Sequence, residues 1–302
     1  MKTKLLALLA FLAFPFCTWA DGVEVDGIYY LLDEGTKTAI VTYTGAKYYT
    51  ENDYAGDIVI PSSVTYDGTT YSVTKIEHHA FADCTGLTSV SIPNSVTTIG
   101  TCAFSKSTGL TSVNIPNSVT EIDMLAFSGC SGLKSINIPN SMTNIEMEAF
   151  AGLTGLTSVS IPNSVTTIGE GAFYNCSRLT SIDIPNSVTS IGEGAFYECS
   201  SLTSVNIPNS VTEIGNYAFA DCTGLTSVTI PNSVTRIGEN AFADCTGLKD
   251  VYALRTNPEK YRAHRRCFYK VPTSTCTLHV PAGCRAAYMA LYPFENIVED
   301  AK

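Results

Sequence analysis

Leu87-Thr88-Ser89-Val90-Ser91-Ile92-Pro93-Asn94-Ser95-Val96-Thr97-Thr98-Ile99-Gly100-Thr101-Cys102-Ala103-Phe104 is the stretch that decides the fold. Its pattern returns every 23 residues, with the proline of Ile-Pro-Asn-Ser at Pro93, Pro116, Pro139, Pro162, Pro185, Pro208 and Pro231. An Ala-Phe column keeps the same interval at Phe81, Phe104, Phe127, Phe150, Phe173, Phe196, Phe219 and Phe242. Strict self-similarity at such a period is the signature of a solenoid.

Each part of the unit has a physical reading. Val90 and Ile92 alternate with Ser89 and Ser91, as in a half-buried strand. Pro93 stops that strand and Asn94-Ser95 makes a turn. Val96 and Ile99 start a second short extended piece, and Gly100 bends the chain away. Ala103-Phe104 then fits one helical turn. One unit supplies too few inward side chains to close a core. Stacking equivalent strands about 4.8 Å apart buries each apolar column against its own copies. Each Leu, Val, Ile or Phe so buried contributes about 1.5–3 kcal/mol against the ordering entropy.

The pattern L-x-x-V-x-I-P-x-S-V-x-x-I-G-x-x-A-F-x-x-C resembles the BspA-like, or Treponema-type, leucine-rich repeats of bacterial surface proteins. The resemblance covers about residues 57–250. It implies a leucine-rich-repeat solenoid, mainly β with one short helical turn per repeat. It also implies a role in adhesion, since the family is associated with binding host matrix and plasma proteins and with coaggregation of bacteria. No individual ligand carries over.

The chain is expected to divide into four segments. Residues 1–20 read as a signal peptide: Lys2 and Lys4, an apolar run from Leu5 to Phe14, and Thr18-Trp19-Ala20 before Asp21. Residues 21–75 read as a β-rich N-terminal cap. Its candidate strands are Ile28–Leu32 and Ala39–Tyr43, its hairpin turn is Asp67-Gly68, and Ile60-Pro61-Ser62-Ser63-Val64 is a drifted repeat turn. Residues 76–250 are the solenoid, and 251–302 are a mixed C-terminal cap. After the leader no stretch is apolar enough to span a membrane.

Charge narrows the function. The whole chain carries −10, and losing Lys2 and Lys4 with the leader makes it −12. Such a surface repels phosphate backbones, so no nucleic acid is expected as a partner. Carboxylates such as Glu121, Glu170, Glu193, Glu213 and Glu239 read as a solvated face in variable turn positions. The one basic stretch includes Arg255, Lys260, Arg262, Arg265, Arg266 and Lys270. It reads as cap surface or as a contact with the acidic body, with an anionic glycan as the sharper alternative.

The residues point away from catalysis. Six cysteines, Cys84, Cys130, Cys176, Cys199, Cys222 and Cys245, share one column that also accepts Ser107 and Leu153. A slot so tolerant calls for modest size, so these are read as buried free thiols. Cys267, Cys276 and Cys284 are the better disulfide candidates. The four histidines, His78, His79, His264 and His279, lack metal-ligand spacing, so no metal or cofactor is expected. Serines on a regular sheet offer no nucleophile elbow. The expected function is therefore a secreted or cell-surface monomer that binds a host or neighbouring-cell protein or glycan. A structural spacer in an envelope assembly is the alternative. Candidate ligand-binding residues are Asn114, Asn137, Asp183 and Asn206 on the strand's polar column, and Tyr174, Tyr197 and Tyr217. Those tyrosines break otherwise uniform columns, and their gathering on one rim would favour a binder over a spacer.

Overall fold

A computed structural model of the protein describes residues 22–44, 52–258 and 262–300. The expected signal peptide and Lys260 lie outside the described residues. The fold is a β-solenoid whose coils each turn through three faces. On the first face the Val-x-Ile strands pair in parallel: Gly56–Val59, Leu87–Ser91 and Ser112–Asn114 in one sheet, and eight strands from Ser135–Asn137 to Asn296–Asp300 in another. The second face stacks the short Thr98–Ile99 type of strand, with Thr69–Ile76 at its N-terminal side. Registers are in phase: Val205 lies opposite Val228, and Ile191 opposite Ile214. The period-two alternation therefore places each apolar side chain on its own copy.

The third face holds the Ala-Phe pair, and here the expected helical turn takes another form. Ala103 N–H and Ser105 N–H donate locally to Gly100 and Cys102 carbonyls (3.1 and 3.0 Å), while Phe104 N–H between them donates to Ala126 of the next coil at 2.7 Å. A helix would direct every N–H along its own axis and leave none for the neighbouring coil. Two consecutive tight turns satisfy both needs. They require left-handed backbone at two positions per coil, such as Cys102 (φ 55°) and Lys106 (φ 59°). Among the described residues the α-helix is Arg285–Leu291, in the C-terminal segment.

Phenylalanine rings form the spine. Consecutive rings from Phe81 to Phe242 stack, as at Phe173–Phe196, 5.5 Å apart and 5° from parallel. The column runs past the sequence repeat: Phe268 stacks on Phe242 at 5.4 Å although extra residues separate them. At one end Tyr54 covers Phe81, with centroids 4.7 Å apart. At the other, Tyr292 and Phe294 meet Phe268 edge-on, each at 5.3 Å. Burying both ends of an aromatic column keeps its terminal faces from water.

The N-terminal segment follows its sequence signals. Ile28–Asp33 pairs antiparallel with Thr38–Thr42, and Ser63–Tyr66 pairs antiparallel with Thr69–Ile76. Asp67 (φ 46°) and Gly68 (φ 75°) give the primed turn that an Asp-Gly hairpin needs.

The cysteine column is a hydrogen-bonded ladder of free thiols. Cys130, Cys176, Cys199, Cys222 and Cys245 each donate to a phenylalanine carbonyl 26 residues earlier, at 3.0–3.3 Å. Ser107 makes the same bond to Phe81. Only Leu153 cannot. The expected disulfides of the C-terminal segment are a correction: Cys267, Cys276 and Cys284 are free and buried. Cys267 occupies the alanine place beside Phe268, and Cys284 donates to the Thr256 carbonyl at 3.4 Å.

One junction differs from its neighbours. Among the described residues, neither sheet pairs the coil of Ser112–Ile122 with that of Ser135–Ile145. The bond made by Asp123 N–H to Ile99 and by Gly169 N–H to Ile145 has no counterpart from Glu146 to Ile122. The bend column also differs at this junction. The column is glycine at Gly100, Gly169, Gly192, Gly215 and Gly238, and a Cβ on Gly169 would come within 2.6 Å of the Ile145 carbonyl oxygen. Asp123 and Glu146 are the adjacent pair in which both residues carry a Cβ. Side chains take over part of the work, with Asn137 Nδ2 donating to the Ile115 carbonyl at 2.7 Å.

Candidate functional site: a tyrosine-lined groove

The third face carries a groove of about 400 Å³, built entirely from departures in the repeat columns. One left-handed column reads Leu125, Glu148, Gly171, Gly194, Tyr217 and Asn240. Gly171 (φ 57°) and Gly194 (φ 56°) leave the floor bare for two coils, because neither carries a side chain. Glu148 closes one end of that floor and Tyr217 the other. On one flank stand Tyr174 and Tyr197, at the position after the phenylalanine where the other regular repeats have Ala or Ser and the Phe268 coil has Tyr269. On the opposite flank stand Glu170 and Glu193. The twice-repeated string Ile-Gly-Glu-Gly-Ala-Phe-Tyr, residues 168–174 and 191–197, supplies the floor and both flanks, and the coils on either side add Glu148 and Tyr217.

Ring geometry makes the tyrosines a platform. Tyr174 and Tyr197 stack with centroids 5.4 Å apart and planes 21° apart, and Tyr217 tilts against Tyr197 at 6.3 Å. Tyr217 is 40% exposed. Burial among neighbours pushes the Tyr174 and Tyr197 phenols above their ordinary value, and the Glu198 carboxylate beside both adds to the effect. The phenols therefore stay protonated and neutral at physiological pH. Asp221 is also held above the usual carboxylate range, by burial and then by Asp244 and Glu198. The region is dense in negative charge.

The other expected site residues lie elsewhere. Asn114, Asn137, Asp183 and Asn206 are exposed in a column on the first face, not beside the groove. Asn137 is engaged in holding Ile115. Glu170 and Glu193, read from sequence as solvated surface, are groove walls. Glu121 and Glu213 lie in second-face strands rather than turns. The signal for the groove glutamates was the pairing of Glu-Gly with Phe-Tyr in the same two coils.

Basic residues of the C-terminal segment turn towards the acidic body. Lys270 pairs with Asp244 at 3.0 Å and Arg266 with Glu239 at 3.8 Å. Arg255 donates to the carbonyls of Asn232 and Val234, both at 3.0 Å. His78 Nδ1 accepts from Thr101 N–H at 2.9 Å. Among the described residues no group of three His, Cys, Asp or Glu is arranged to hold a metal ion, and no helix is long and apolar enough to cross a membrane.

A family profile described as the BspA type leucine rich repeat region matches residues 60–179 and 166–284. The chain belongs to this family. Solved structures agree. A leucine-rich repeat protein from Bacteroides ovatus is 30% identical with a TM-score of 0.64, over 85% of this chain and 70% of that one. A leucine-rich repeat protein of T. pallidum is 30% identical with a TM-score of 0.57, over 68% of this chain and 90% of that one. A leucine-rich cell surface protein from Faecalibacterium prausnitzii shares the fold at 24% identity and TM-score 0.52, over 93% and 95% of the two chains. No curated protein matches the chain. Membership in the BspA-type family marks the chain as a bacterial repeat protein, and bears out the resemblance read from the repeat.

Proposed function

We propose that this BspA-type protein is an exported, non-catalytic binding module that contacts a protein or glycan at or beyond the cell surface. The observation that carries this reading is the groove: three tyrosines and three glutamates gathered on one rim by coordinated changes in two neighbouring coils and by Glu148 and Tyr217 from the coils on either side. A spacer gains nothing from breaking its own columns, whereas concave, aromatic-lined ground is where binding proteins place their contact energy. The candidate leader at residues 1–20 and the cell-surface relative support an exported location. Catalysis lacks support because the groove holds no nucleophile–base pair within it.

The test is an array of matrix proteins, plasma proteins and surface glycans probed with the folded protein and with heat-unfolded protein. Binding by the folded protein alone supports the module. Absence of binding across the array would favour the spacer, and turnover of a bound component would make it an enzyme.

A further inference from the structure

The walls of the groove specify a chemistry for its occupant. Its polar lining consists of carboxylates (Glu148, Glu170, Glu193) and tyrosine phenols, with no lysine, arginine or histidine among the lining residues. Carboxylates only accept hydrogen bonds, so acceptors outnumber donors; the donors are the phenol hydroxyls, and Tyr174 and Tyr197 already direct theirs at Glu198. Beside the acceptors stand the rings of Tyr174 and Tyr197, stacked on each other 5.4 Å apart, and the quadrupole of an aromatic face left free by that stack attracts positive charge. A neutral sugar would want donors as well as acceptors, and an anion would be repelled. A group that only donates and carries positive charge satisfies every wall at once.

The surroundings indicate what presents that group. Exposed Met147 (36%) and Met124 (43%) lie one and two coils before Glu170 in the same column, which therefore continues past the groove lining as apolar surface. Methionine suits adaptable contact with side chains of varied shape. We propose that the groove receives a lysine or arginine side chain of a polypeptide partner, with the ammonium or guanidinium between the tyrosine rings and Glu170 and Glu193, and flanking apolar residues against Met124 and Met147. This rests on the groove being the binding site. It adds the chemical class of the ligand.

The probe is a short arginine-serine repeat peptide, compared with the same peptide in which citrulline replaces arginine. Citrulline keeps the shape and loses the charge. Titration calorimetry with the intact protein is expected to show the arginine peptide binding about tenfold more tightly, the scale of a partly desolvated cation–π contact. Tyr174→Ala with Tyr197→Ala should remove that preference, as should Glu170→Gln with Glu193→Gln. Tyr174→Phe with Tyr197→Phe keeps both rings and should retain most of it. Glu121→Gln with Asp183→Asn removes two charges away from the groove and should leave affinity within about twofold. Equal affinity for the two peptides would overturn the inference, and so would an equal loss in the off-groove control. If a neutral glycan bound and the tyrosine variants abolished that binding, the groove would stand as a site while the cationic ligand fell.

Discussion

Cys199 donates its thiol hydrogen to the carbonyl of Phe173, 26 residues earlier, with sulfur and oxygen 3.3 Å apart. The bond ties each coil to the one before it at the point where the phenylalanine column is buried. It also explains why serine can replace cysteine in that column, since both donate.

From this ladder comes a prediction about reactivity. Burial pushes the Cys130, Cys176 and Cys245 thiols up to about 12, and it holds those of Cys199 and Cys222 well above their ordinary value. The thiolate is the reactive species, so these groups are inert while folded. Alkylation of the native protein followed by mass spectrometry should label half-buried Cys102 ahead of every column cysteine. Denaturation should then label them all. Recovery of a Cys199–Cys222 bridge would overturn the assignment.

The phenylalanine spine sets the scale of stability. Phe173 is fully buried between Phe150 and Phe196, with centroids 5.6 and 5.5 Å away. Phe173→Ala should cost about 3–5 kcal/mol in urea denaturation, because stacked neighbours cannot collapse into the gap. A loss below about 1 kcal/mol would show that the ring does not support the column.

The C-terminal edge should respond to pH. His279 places Nε2 3.0 Å from Asp250 and Nδ1 3.2 Å from Asp300, with Tyr252 stacked at 4.3 Å. Burial alone lowers its pKa, but the hydrogen bonds and charges of Asp250 and Asp300 outweigh it and the net shift is upward. A raised folded value means the contribution is full below the unfolded pKa and is lost as pH rises through the folded one. Melting temperature should therefore fall from about pH 6 to pH 9, and His279→Gln should flatten that slope. An unchanged slope in the variant would contradict the role given to the imidazole.

The weakest junction is expected where both sheets lapse, between the coils of Asp123 and Glu146. Local opening follows missing backbone bonds, so amides near Thr143–Glu146 should exchange faster than those near Thr189–Gly192. Replacing both acids, Asp123→Gly with Glu146→Gly, should slow that exchange by restoring the close approach made at Gly169. Uniform protection across these coils would show that the junction is not a weak point.

Much of this architecture was legible in the residues. Val-x-Ile alternation, the prolines and the phenylalanine interval placed the strands and the buried column, and Asp67-Gly68 placed its hairpin. The third face was less so, because helical spacing of Ala and Phe does not reveal where each N–H points. That depends on left-handed residues such as Cys102 and Lys106, whose side chains do not advertise it. The same gap hid the groove. Tyr174, Tyr197 and Tyr217 stood out as irregular, but their meeting with Glu170 and Glu193 depends on Gly171 and Gly194 baring the floor between them. Phe268 escaped notice because an insertion breaks the period while the coil continues.

The central claim is that the tyrosine groove, not the polar column of the first face, makes the contact. It is tested most directly by the affinity of three proteins for the component bound most tightly on the array. These are the wild type, Tyr174→Ala with Tyr197→Ala, and a first-face variant with Asn114, Asp183 and Asn206 all changed to Ala. The groove variant should lose at least about tenfold in affinity, and the first-face variant should stay within about twofold, both with wild-type unfolding midpoints. A first-face variant that loses binding while the groove variant keeps it would contradict the account.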